Sequence, residues 1–413
     1  MKILIKNIKS LVQVEEKTRL KISGAEMKTL SCISNAWLAI EDDKIADFGE
    51  MKDFPGISDW SNLQVIDATG KLVFPSWCDS HTHIVYAGNR EQEFVDRING
   101  LSYEEIAKRG GGILNSAKKL QDASEDELFE SAMKRIREVI LQGTGAIEIK
   151  SGYGLSFEAE LKMLRVIKRI KAIVPISVKA TFLGAHAIPS GMTKEKHIEN
   201  IINEMLPRIA EEKLADYCDV FCERNYFTKE ETVKILSEAN KYGIKGKVHA
   251  EQLSHSGGIE AGVKSNAISV DHLEFANEND ISILKNSETM GTILPGAQFF
   301  LGLQNPPARK MIDAGLPIAI ASDYNPGSCP SGNMNFMISL ACINYKLTPE
   351  EAINGATINS AYAMGLSKTH GNIAIGKQAN VFITKEIPNY AFIPYSFANN
   401  TVETVILNGK IYK

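Results

Sequence analysis

Between residues 73 and 323 the chain repeats one pattern eight times: a short apolar run, then a longer amphipathic stretch. The runs fall near 73–79, 146–150, 176–183, 217–223, 244–249, 267–272, 289–294 and 317–323. Continuous apolar runs belong to strands covered on both faces, and the stretches between them are long enough for the crossovers that parallel strands require. Several stretches carry helix boundaries. Ser124-Glu125-Asp126-Glu127 reads as a capping box, and its helix should end near Gly143. Leu161, Leu164, Ile167 and Ile170 recur at helical spacing ahead of Pro175. Thr228 precedes acidic residues that suit a first turn, and Gly243 suits the end. Strand–helix alternation predicts a parallel sheet, and eight units predict a closed (β/α)8 TIM-like barrel spanning 71–369.

The flanks read differently. Residues 1–70 and 370–413 hold short alternating runs, among them Ala36 to Ile40, Gln64 to Ile66, Ala379 to Thr384 and Val402 to Leu407. The two ends are expected to pair into one small composite β-sandwich domain, which requires the termini to meet.

Composition narrows the function. With 413 residues, 44% of them apolar, a large core is available. Net charge is −4 with no basic stripe, so no nucleic-acid partner is expected. No apolar run approaches the ~18–20 residues of a membrane helix, so no membrane partner is expected either. The segment Met1 to Lys6 alternates like a strand and lacks a signal-peptide pattern. The six cysteines are scattered without a CxxC pair, the pattern of reduced thiols in a cytoplasmic protein. Cys78, Cys218, Cys222 and Cys329 read as small core residues. Gly110-Gly111-Gly112 lacks the following Lys-Ser/Thr of a phosphate loop and reads as a flexible loop or lid.

The chemistry concentrates where the runs stop. Asp79-Ser80-His81-Thr82-His83 follows the first run. Alternate residues of an extended segment face one side, so His81 and His83 would both point inward at the C-terminal end of a barrel strand, where barrel enzymes build their sites. Lys247-Val248-His249 ends the fifth run, Val270-Asp271-His272 the sixth, and Ala321-Ser322-Asp323 the eighth. One such histidine is ordinarily a satisfied core group. Four histidines and an aspartate are harder to bury, since each unpartnered polar group costs ~1–3 kcal/mol. A shared Zn or Fe ion and its water would satisfy them together.

This constellation resembles the amidohydrolase superfamily, in which HxH lies on strand 1, His on strands 5 and 6, and Asp on strand 8. The resemblance covers essentially the whole chain. Asn89-Arg90-Glu91, Lys150-Ser151-Gly152-Tyr153-Gly154-Leu155, Leu183-Gly184-Ala185-His186-Ala187-Ile188-Pro189 and Ser322-Asp323-Tyr324-Asn325-Pro326-Gly327-Ser328 are similar to the branch that opens an imidazolone ring bearing a propionate tail. It implies one divalent or trivalent metal ion, Zn or Fe, on His81, His83, His249 and Asp323, with Asp323 and His272 serving proton transfer. A bridging carboxylated lysine, from Lys150 or Lys179, must be weighed, but the relatives this chain resembles use one metal without such a bridge. Deaminase-like relatives often carry Glu three residues after the strand-5 histidine. Here Gln252 stands there, able to hydrogen-bond the ring but not to carry a proton. For the substrate, Arg90 offers bidentate pairing to a carboxylate, with Tyr153 beside it. His186 is placed to hydrogen-bond the ring carbonyl, and Asn325, Gly327 and Ser328 to offer amide groups to the tail. The implied reaction is hydrolytic ring opening in histidine degradation, and the implied assembly a homodimer. The alternatives are a deaminase of a related heterocycle, which would release ammonia, and a non-catalytic relative, which would leave the metal site empty.

Overall fold

The computed structural model describes residues 2–15, 19–101, 105, 109 and 111–413. The chain begins in a sheet built from both ends. Its N-terminal strands are β1 (Lys2–Val12), β2 (Cys32–Glu41), β3 (Lys44–Glu50), β4 (Leu63–Asp67) and β5 (Lys71–Pro75). The barrel follows, with β6 (Trp77–Asp79), β7 (Thr144–Lys150), β8 (Ser177–Ala185), β9 (Tyr217–Cys222), β10 (Lys245–Ala250), β11 (Ser269–His272), β12 (Met290–Ile293) and β13 (Ile318–Ile320). The chain then returns to the first sheet with β14 (Val381–Glu386), β15 (Val402–Leu407) and β16 (Lys410–Ile411).

The barrel strands lie in sequence order and each pairs in parallel with the next. β13 and β6 meet beyond their ladders. Asp323 N–H donates to His81 O at 3.0 Å and His83 N–H to Tyr324 O at 2.9 Å. The buried Asp79 carboxylate accepts from Ser322 N at 2.9 Å and Ser322 Oγ at 2.6 Å. The seam of the barrel is therefore stitched by the segments that carry the chemistry.

The helices form where caps and apolar spacing predicted them. Glu125–Leu141 starts at a complete capping box between Ser124 and Glu127, and buries Leu128, Ala132, Ile136, Val139 and Ile140. Phe157–Ile173 buries Leu161, Leu164, Ile167 and Ile170. Lys229–Lys241 opens with a second capping box, Thr228 and Glu231. Each fully buried Leu or Ile contributes ~1.5–3 kcal/mol, so these faces hold the outer ring of helices on the barrel.

The terminal sheet has the order β16-β15-β14-β5-β1-β2-β3, with β4 also paired to β1. It branches at β1, whose first half pairs with β4 and whose second half pairs with β5. Ile3, Ile8, Leu38, Val381 and Ile406 share one core, so both chain ends are needed to close it.

The expected first barrel strand at 73–79 is divided between the sheets. Lys71–Pro75 pairs antiparallel with β14 in the terminal sheet, and only Trp77–Asp79 enters the barrel. The switch occurs at one residue: Ser76 N–H donates to Asn380 O, and Trp77 N–H to Gly143 O, both at 2.9 Å. Both sides of the switch are buried, so hydrophobicity does not mark it. A side chain at Gly145 would lie 2.4 Å from Ser76 Cβ, so the crossover requires glycine there. The eighth strand is also shorter than 317–323. It stops at Ile320 because the chain then turns onto β6.

Candidate active site

His81, His83, His249, His272 and Asp323 converge at the C-terminal ends of the barrel strands, each at most 3% exposed. Ring centroids are 4.4 Å apart for His81 and His249, 5.3 Å for His81 and His83, and 5.2 Å for His249 and His272. Asp323 Oδ1 lies 3.5 Å from His81 Nε2 and 3.6 Å from His83 Nε2. One potential ligand atom each from His81, His83 and His249 falls within a 4.8 Å span, as does one each from His81, His272 and Asp323. The backbone is bent to achieve this. Asp323 has φ 58° and His272 φ 91°, a left-handed region costly for non-glycine residues.

These groups fit a metal ion. His81 Nδ1 is taken by Asp271 Oδ2 at 2.7 Å, while His81 Nε2 is buried without a hydrogen-bond partner among the described residues. Burial, reinforced by nearby positive groups, holds His81 and His83 well below the usual imidazole pKa, so both are neutral, the form that ligates metal. Three imidazoles and a carboxylate suit Zn or Fe.

Beneath the histidines lies a buried ion network of which the sequence reading singled out only Lys150. Asp271 supports His81, and Asp219 Oδ2 lies 3.0 Å from His249 Nδ1. Lys150 Nζ donates to Asp219 Oδ2 and Glu148 Oε1, each at 2.7 Å, and lies 3.6 Å from Asp271. Lys247 Nζ bonds Glu148 and donates to Ser80 O at 3.0 Å. Burial pushes the Lys150 ammonium down, but its carboxylates outweigh burial and hold its pKa above the ordinary value. A carbamate needs a neutral amine, so Lys150 is not suited to bridge metals. Lys179 is occupied elsewhere, donating to Asp216 Oδ1 at 3.0 Å. The missed signal was alternation: Glu148 stands two before Lys150, and Lys247 two before His249, so each pair shares one face of its strand.

A cavity of about 180 Å³ opens over the cluster. His83, His249, His272, Asp323, Arg90, Tyr153, His186, Gln252, Asn325, Gly327 and Ser328 all line it. Glu93, Arg97, Phe221 and Tyr226 line it too and were not singled out from sequence. Arg90 Nε donates to Ser116 Oγ at 2.8 Å, while its Nη2 is buried without a hydrogen-bond partner among the described residues. A Cβ on Gly327 would sit 2.5 Å from Arg90 Nη1, so only glycine admits the guanidinium. Tyr153 rides on a loop fastened by the Glu160 carboxylate, which accepts from the N–H groups of Gly152, Gly154 and Leu155 at 2.9, 2.7 and 3.1 Å. Burial raises the Tyr153 phenol pKa, so it stays a donor.

Three details depart from expectation. Burial pushes His186 down to about 3, and its Nδ1 lies 2.9 Å from Gly152 O. The neutral ring must donate from Nδ1, which leaves Nε2 an acceptor, unsuited to a carbonyl oxygen. The backbone amides of Gly327 and Ser328 already donate to Asn325 Oδ1, each at 2.8 Å, instead of pointing free. Asn325 Nδ2 is spent on Asp323 O and Ser328 Oγ, so this turn shapes the wall. Ser328 Oγ donates to Asp323 Oδ2 at 2.8 Å, which leaves Oδ1 facing His81 and His83. Gly110 of the glycine run lies outside the described residues. Gly112 N–H donates to the Glu93 carboxylate at 2.9 Å.

The amidohydrolase family model matches residues 72–412. The chain is 58% identical to the imidazolonepropionase of Christiangramia forsetii, with 100% of both chains covered. It is 59% identical to that of Flavobacterium johnsoniae over 99% of each chain, and 40% identical to that of Alkaliphilus oremlandii over 98% of this chain and 97% of the relative. Among solved structures, E. coli guanine deaminase superposes with a TM-score of 0.76 at 14% identity, covering 100% of this chain and 99% of that one. A triazine hydrolase variant gives 0.74 at 14% identity, covering 99% and 94%. These two share the fold. The chain belongs to the amidohydrolase family and, within it, to the imidazolonepropionase group.

Proposed function

We propose that this site opens the ring of 4-imidazolone-5-propanoate by hydrolysis, giving N-formimidoyl-L-glutamate in histidine degradation. The observation that carries the reading is one cavity lined both by a metal-ligand cluster and by Arg90, whose Nη2 is buried with no hydrogen-bond partner among the described residues. A substrate with a reactive ring at one end and a carboxylate at the other completes both. The full-length likeness to imidazolonepropionases supports it.

His81, His83, His249 and Asp323 would hold one ion, Zn or Fe. Bound there, such an ion lowers the pKa of water toward ~7 and polarises a carbonyl. The remaining work falls to side chains. Arg90 pairs with the propionate and Tyr153 donates to it, orienting the ring. Asp323, its Oδ2 held by Ser328, turns Oδ1 toward the cluster, where it would both help hold the ion and take the proton of the attacking water. His272 lines the same cavity and moves a proton to the departing ring nitrogen. His186 Nε2 accepts from a ring N–H, and Gln252 fixes the ring by its amide. The partner is thus a small molecule with a carboxylate tail. We place the enzyme in the cytoplasm as a homodimer; among the described residues no helix is long and apolar enough to cross a membrane.

The test is to give the metal-loaded protein 4-imidazolone-5-propanoate and follow loss of ring absorbance and ammonia together. The reading expects turnover without ammonia. Ammonia in step with turnover would show a deaminase, and no turnover would reject the assignment.

A further inference from the structure

β11 ends in an unusual turn. His272 and Leu273 have φ 91° and 75°, two consecutive non-glycine residues in the left-handed region. Such strain persists only where the surroundings enforce it. Here Leu273 N–H donates to Ala250 O at 3.1 Å and Phe275 N–H to Glu251 O at 2.8 Å, so the end of β10 and the residue after it hold the turn. The result is to bring the side chains of His272 and Glu274 together. Both are at most 1% exposed. Among the described residues His272 Nδ1 has no hydrogen-bond partner, and neither has Glu274 Oε1 or Oε2. Nδ1 and Oε1 lie 3.8 Å apart. A buried carboxylate with both oxygens unsatisfied is costly, and so is an orphaned imidazole nitrogen. Each is a group that can relieve the other.

We infer that Glu274 is the positioning residue of His272, accepting Nδ1–H so that Nε2 is the atom offered to the substrate. This rests on the reading of His272 as the proton carrier. The pair closes to a hydrogen bond by a movement of under 1 Å, well within side-chain freedom. With Nδ1–H anchored, Nε2 is the nitrogen of His272 left to exchange a proton. When it takes over from Asp323 the proton that came from the attacking water, the imidazolium gains the Glu274 carboxylate as counter-charge, and the proton is then passed to the departing nitrogen. Glu274 itself does not line the substrate cavity, whereas His272 does. The residue therefore acts only through His272.

The test compares the parent, Glu274→Gln and His272→Gln. Glu274→Gln is isosteric and removes the charge and the fixed acceptor. The expected result is a kcat lower by about ten- to a hundredfold with KM changed less than about twofold, and metal content equal to the parent's. Histidine nitrogen NMR shifts should place the His272 proton on Nδ1 in the parent and on a mixture of Nδ1 and Nε2 in Glu274→Gln. In the His272→Gln background, Glu274→Gln should cost nothing further. Parent-like kcat in Glu274→Gln, an unchanged tautomer signal, or an equal loss in the His272→Gln background would overturn the inference. Should Glu274→Gln fail to fold, the parent's tautomer alone decides: a proton on Nε2 excludes the pairing. The tautomer measurement needs no substrate, so failure of the parent to turn over imidazolonepropanoate would reject the proposed function and leave this pairing separately testable.

Discussion

Replacing Asp271 by asparagine should weaken metal binding without disturbing the fold. In the structure Asp271 Oδ2 receives His81 Nδ1–H at 2.7 Å, and Oδ1 accepts from Ser269 Oγ at 2.6 Å. Lys150 and Lys247 stand 3.6 and 4.0 Å away. A hydrogen bond to a charged acceptor is worth ~1.5–3 kcal/mol against ~0.5–1.5 for a neutral one, so the amide forfeits about 1–1.5 kcal/mol at His81. If the amide nitrogen turns toward the ring, His81 must protonate Nε2, the atom aimed at the metal, and the loss grows. Removing one partner of such an outer-shell pair typically costs about 10–100-fold in metal affinity, or ~1.4–2.7 kcal/mol. Two independent estimates therefore meet near a tenfold effect. The assay strips the metal with a chelator and titrates Zn²⁺ back against a chromophoric competitor, with thermal unfolding as the check on folding. Asp219→Asn should act alike through His249, and the double variant should lose less than the sum because Lys150 touches both carboxylates. A metal Kd within twofold of the parent, in well-folded Asp271→Asn, would refute the supporting role.

Arg90→Lys keeps the charge but not the fork, and should raise KM about tenfold with a smaller change in kcat, read by steady-state kinetics. Glu160→Ala removes the acceptor for three amides of the Tyr153 loop and should raise KM severalfold while metal content stays constant, checked by the same kinetics with elemental analysis. His370, remote from the cavity, is pushed down to about 4 from 6.5, chiefly by burial and then by Lys377. The unfolded chain thus binds more protons between those values. The stability is complete above 6.5 and falls as pH drops toward 4, by at most about 3 kcal/mol. His370→Gln should lose less over that window in urea unfolding, and equal losses in parent and variant would exclude His370 as the cause.

The barrel was legible because its strands are apolar runs and its helices announce their caps: Ser124 with Glu127 and Thr228 with Glu231 form the boxes their spacing predicts. His81 and His83 were legible because alternation alone puts them on one side. The split of the first strand at Ser76 was not, since Phe74, Trp77 and Cys78 are equally buried in either sheet and only hydrogen-bond partners change. Glu148 and Lys150 share a face of one strand and could have been paired by alternation, but their links to Asp219 and Lys247 join strands far apart in sequence. Glu274 was hidden for another reason. A regular strand would turn it differently, and only two left-handed residues bring it beside His272. The same limit hid the engaged amides of Gly327 and Ser328, which depend on how Asn325 folds back on its own turn.

The most direct measurement of the central claim is an anomalous-scattering map of crystals grown with Zn²⁺. The account predicts a single strong peak bonded to the imidazoles of His81, His83 and His249 and to the Asp323 carboxylate, at ~2.0–2.2 Å. A peak elsewhere, a second ion bridged through Lys150, or Asp323 left outside the coordination sphere would contradict it.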